Sequence, residues 1–151
     1  MRGSLYRMTT APGHGLRAAA CVAACIALWV APVAAEAEVA AARTYIISPA
    51  DGATVSSPFT VRFGLNGMGV APAGVAVEGT GHHHLLVNTQ LPDLEAPIPA
   101  DERHLHFGKG QTETLLELPP GQHTLQLLFG DSLHRPHRPP VYSERITVTV
   151  R

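Results

Sequence analysis

From Thr44 to the C terminus no segment keeps a helical period, and Gly or Pro breaks nearly every interval. That punctuation constrains the fold more than any other feature, because Pro removes a backbone donor and both residues stop regular helices. What remains between the breaks is period two. In Phe59–Leu65 the residues Phe59, Val61, Phe63 and Leu65 share one face, and Thr60, Arg62 and Gly64 share the other. Such alternation is the mark of a half-buried strand.

Extending this reading gives about seven short strands. They are Thr44–Ser48, Phe59–Leu65, Val75–Glu78, His82–Thr89, Gln111–Leu118, His123–Phe129 and Glu144–Arg151. The Pro119-Pro120-Gly121 turn predicts that Gln111–Leu118 and His123–Phe129 form a hairpin. Asn66–Gly74, Leu91–Arg103 and Asp131–Pro140 read as loops. Seven short strands at this spacing predict an all-β, immunoglobulin-like sandwich, assigned by architecture alone.

The first residues follow other rules. Arg2, Arg7 and Arg17 form a basic head, Ala18–Val30 is an uncharged apolar run, and Val33-Ala34-Ala35 offers small residues for cleavage. The combination predicts a secretory signal peptide over 1–35, cut after Ala35, with Ala37 and Ala42 as neighbouring choices. Val22-Ala23-Ala24-Cys25 also resembles a lipoprotein cleavage box, but cutting there would leave Ile26–Ala35 as an apolar tail. The expected organisation is a signal peptide, a leader over 36–43, and one β domain over 44–151. The destination is the periplasm or the exterior, with no membrane span in the mature chain.

Cleavage would remove both cysteines, Cys21 and Cys25, so the mature domain has no thiolate ligand or nucleophile. Of the 11 lysines and arginines, Arg2, Arg7 and Arg17 would leave, so 8 would stand against 12 acids. With one lysine, Lys109, and no basic stripe, the chain does not suit nucleic acid. Gly108-Lys109-Gly110-Gln111-Thr112 is no phosphate loop, because Lys109 precedes a glycine and a strand follows.

Histidine is the outstanding composition. The expected mature chain holds His82, His83, His84, His104, His106, His123, His134 and His137. Neutral imidazole is the commonest metal ligand and suits copper, zinc and nickel. Residues two apart on a strand share a face, so His82 projects with His84, and His104 with His106 where that segment is extended. His134 and His137 lie in a loop able to fold over such pairs. These six are the candidate ligands, for copper(II) or zinc. His83 shares a face with Leu85 and Val87, and His123 with Leu125, Leu127 and Phe129, so structural roles compete with ligation there.

The segments Gly79–Thr89 (GTGHHHLLVNT), His104–Thr114 (HLHFGKGQTET), Leu118–Asp131 (LPPGQHTLQLLFGD) and His134–Val148 (HRPHRPPVYSERITV) carry a family resemblance. With Ser48–Gly74 they closely resemble the bacterial family catalogued as domain of unknown function 4399. The resemblance implies an exported bacterial domain of this size and supplies no activity. The grouped histidines and the export signal give the expected function, a copper or zinc carrier or buffer. The alternative is an interaction module binding an envelope protein through the 91–103 and 131–140 loops. A third reading, a small metal enzyme, rests on His104, His106, Glu113 and His123, which resemble a cupin ligand set with the wrong spacing.

Overall fold

A computed structural model describes residues 41–151. The expected signal peptide, its cleavage sites and Cys25 fall outside the described residues. Among these residues there is no helix, and none long and apolar enough to cross a membrane. The chain forms ten strands: β1 (Arg43–Ser48), β2 (Thr54–Val55), β3 (Phe59–Asn66), β4 (Gly69–Val70), β5 (Thr80–Val87), β6 (His104–His106), β7 (Glu113–Leu116), β8 (Gly121–Gly130), β9 (Pro136–Tyr142) and β10 (Ile146–Val150).

They build two sheets, and the expected all-β sandwich is present. The smaller sheet runs β1-β3-β7, all antiparallel. The larger runs β2-β10-β8-β5-β4, with β6 added to β5 and β9 to β8. The core between them is led by Val61, Phe63, Leu85, Val87, Leu125, Leu127 and Val148. Burying each such side chain stabilises the fold by roughly 1.5–3 kcal/mol.

The larger sheet is covered on its outer face as well. Leu86 and Leu128 point away from the main core and pack with Ile98, Leu91 and Leu94 from the long loop after β5. Two buried faces explain the continuous burial of β5 over Gly81–Val87 and of β8 over Leu125–Gly130. A strand buried on both faces reads as an unbroken apolar run.

The expected hairpin does not form. β7 pairs with β3, whereas β8 pairs with β5, β9 and β10, so the Pro119-Pro120-Gly121 connection crosses between sheets. β8 is a central strand whose two edges are already taken, which excludes β7 as a neighbour. Val75–Glu78 forms no strand: Val75–Val77 is irregular chain between turns at Ala73–Gly74 and Glu78–Gly79, closed by Val75 N–H to Pro72 O at 3.1 Å and Thr80 N–H to Val77 O at 3.2 Å. The expected Asp131–Pro140 loop is only partly a loop, since β9 starts at Pro136. Its prolines are tolerated because β9 lies at a sheet edge, where missing donors face outward.

Candidate metal centre

Alternation along β5 divides its three consecutive histidines. His83 joins Leu85 and Val87 on the inner face, and His82 and His84 join Leu86 on the outer one. The antiparallel register sets His106 of β6 directly beside His84. The chain then brings His134 over the group from the Asp131–Arg135 turn after β8.

Four imidazoles meet there. His82 Nε2 and His84 Nε2 are 3.1 Å apart, and His106 Nε2 and His134 Nε2 are 3.0 Å apart. His82, His84 and His106 can each present a ligand atom within 4.8 Å of the other two. An ion bound at the usual zinc–imidazole length holds tetrahedral nitrogens roughly 3.3 Å apart. His134 joins these three through His106, with its ring centroid 4.6, 4.9 and 5.9 Å from those of His106, His82 and His84, so its ring must move to become a fourth ligand of one ion.

Glycines provide the room. A Cβ on Gly108 would collide with the His106 ring, and one on Gly130 would lie 3.1 Å from His84 Nε2 and 3.0 Å from Ile98 Cδ1. His134 has φ 63°, a left-handed conformation uncommon outside glycine. The turn is held by Asp131, whose Oδ1 accepts Leu133 N–H and Arg135 N–H, each at 2.8 Å. His134 N–H donates to Asp131 O at 3.0 Å, and His134 O accepts Ile98 N–H at 2.7 Å. The sequence marks Gly108 only as part of a stretch that is no phosphate loop and Asp131 only as the start of a loop; their roles at this cluster, and that of Gly130, carry no sequence signal beyond the Gly130-Asp131 pair at the strand end.

Burial favours the neutral form of His82, His84 and His106. Burial, then the neighbouring His106 and His134, push the His82 pKa down to about 4. Burial, then His82, His106 and His134, push His84 down to about 3. His106 is lowered by burial and by His134. Neutral imidazoles are the form that ligates metal. His82 and His84 are fully buried, His134 is half-buried and His106 is exposed, so the group opens to solvent on one side.

The remaining expected ligands lie elsewhere. His104 is on the same sheet face but one row along, opposite Leu86, and its Nδ1–H donates to Asp101 Oδ1 at 2.8 Å. His137 stacks on Phe129 at 5.6 Å between ring centroids. Phe129 pairs in register with His83, which places His137 on the inner side, away from His134. His83 lies between Phe63 and Phe129, with centroids 5.2 and 5.0 Å away. The Thr44 hydroxyl donates to Gly64 O, so its 3.4 Å contact with His83 Nδ1 makes that nitrogen the donor. His123 Nε2–H donates to Pro119 O at 2.8 Å and its Nδ1 accepts Asn88 Nδ2–H at 2.9 Å, which occupies both nitrogens. The cupin-like set is dispersed as well, with Glu113 on β7 in the other sheet paired to Arg62 at 3.2 Å.

Fold and site together define a small β-sandwich with four imidazoles gathered on the outer face of its larger sheet. The chain belongs to the family described as Domain of unknown function (DUF4399), whose model matches residues 61–151. That span contains all four histidines of the cluster. No curated protein and no solved structure matches the chain.

Proposed function

We propose that this protein binds one divalent transition-metal ion, copper(II) or zinc, and acts in the cell envelope as a carrier or buffer. The observation that carries the reading is the convergence of His82, His84, His106 and His134 from three separate segments. Packing four imidazoles together is costly for a fold unless something rewards it, since any two that become charged repel one another. A cation shared by neutral rings reverses that balance. Two buried ligands give retention, and exposed His106 with half-buried His134 gives a route for exchange. Delivery to the envelope rests on the expected signal peptide.

Calorimetric titration of the untagged protein with copper(II) and with zinc tests this. The expected result is saturation at one ion per chain, with binding abolished in a His82→Ala/His84→Ala variant. Equal weak uptake by the wild type and the variant would overturn the proposal. A folded-state ligand should also raise the melting temperature as its concentration rises.

A further inference from the structure

The arrangement of the four rings bears on which ion they suit. Their six centroid separations are 4.9 Å for His82–His84, 4.9 Å for His82–His106 and 4.9 Å for His82–His134. The others are 5.1 Å for His84–His106, 5.9 Å for His84–His134 and 4.6 Å for His106–His134. A square needs one pair of diagonals about 1.4 times its sides, as tetragonal copper(II) or nickel(II) prefers. No such pair exists. The best candidate diagonals, His82–His106 and His84–His134, measure 4.9 and 5.9 Å, and the first equals two of the supposed sides. Five separations of 4.6–5.1 Å and one of 5.9 Å lie closer to a tetrahedron, somewhat stretched along His84–His134, than to a square.

The origin of that shape lies in the fold. His82, His84 and His106 form a triangle on one sheet face, fixed by strand alternation and by the β5–β6 register. His134 stands over the triangle on a turn that β8 delivers from the side. A sheet triangle with one ring above it cannot flatten without breaking the Ile98–His134 hydrogen bond or the Asp131 turn. With four protein ligands, no position is left for water, which a catalytic zinc site keeps open. The four donors are all nitrogen, which does not suit the sulfur-seeking copper(I).

We infer that the centre holds zinc(II) in closed tetrahedral coordination by His82, His84, His106 and His134, with His134 as the detachable fourth ligand. This inference rests on the metal-binding reading above. It assigns the site to holding and passing on zinc rather than to activating water for hydrolysis.

Cobalt(II) tests it, because tetrahedral cobalt absorbs visible light intensely and six-coordinate cobalt weakly. The full untagged protein is titrated with cobalt(II) chloride, then with zinc. Intense visible bands that saturate at one cobalt per chain and vanish on adding one zinc are expected. In His134→Ala the same cobalt stoichiometry should persist with those intense bands lost, as water fills the opened position. His134 is only half-buried, and a circular dichroism spectrum like that of the wild type would show that this variant folds. Weak bands in the wild type, or an unchanged spectrum in His134→Ala, would overturn the tetrahedral assignment while leaving metal binding intact. Failure of cobalt, zinc and copper(II) alike to bind would overturn the metal-binding reading itself.

Discussion

His82, His83 and His84 are adjacent in the chain and equally buried, yet they have different chemistry because a strand turns successive side chains to opposite faces. His83 belongs to the inner core, and replacing it should alter stability rather than metal uptake. The same holds for His123. His123→Ala leaves Asn88 and Pro119 O without their partner, so unfolding should cost about 1–3 kcal/mol less while metal affinity stays at the wild-type value. Chemical denaturation and calorimetry on one preparation would check both halves. Asp131 is the converse case. Asp131→Ala frees two amides of the His134 turn and should weaken metal binding roughly 10–100-fold, the usual effect of losing a group that positions a ligand. Asp131→Asn keeps an acceptor oxygen and should recover most of the affinity in the same titration. At this scale the sequence is readable where spacing decides: two-residue alternation sets His82 with His84 and His104 with His106, while the β5–β6 register that brings His106 to His84 is not in the spacing. His134 is also legible as a loop histidine able to cover the pair, but the left-handed turn that seats it is not, and nor is the placement of His104, which Asp101 fixes one row away.

The strands show the same division. β3 was plain from its clean alternation, but β8 was assigned its place by a turn motif and given the wrong partner. Pro-Pro-Gly announces a change of direction without saying whether the chain returns to the same sheet. The better indication was in β8 itself, where Leu125–Gly130 has too few polar residues for a strand with one wet face. The missed β9 has a similar cause, since its prolines suppress the local signal while Val141 still packs against Phe129 across the pair. Leu127 of β8 is fully buried in the main core, and Leu127→Ala should destabilise the protein by about 2–5 kcal/mol in urea unfolding. If β8 were instead the outer half of a two-stranded hairpin, the loss would be much smaller.

For the whole molecule, the buried histidines couple stability to pH. In the metal-free folded chain His82 and His83 are held near pKa 4 and His84 near 3, in each case first by burial. Unfolded histidine titrates near 6.5. Between these values the unfolded chain binds more protons than the folded one, so stability falls as pH falls. The contribution is complete above about pH 6.5 and declines through the window toward pH 4. Melting temperatures of the metal-free protein should therefore drop steadily from pH 7 to pH 4.5. A flat profile would mean that these rings do not stay neutral in the fold. Metal affinity should hold through most of that window and weaken only as pH approaches 4, where His82 and then His84 begin to take up the protons that compete with the ion.

The most direct measurement is anomalous diffraction at the zinc edge from crystals of the zinc-loaded, untagged protein. The account predicts one peak at roughly 2.0–2.1 Å from a ring nitrogen of each of His82, His84, His106 and His134. No peak among these four rings, or a peak placed instead at His104 and Asp101 or at His137, would contradict it.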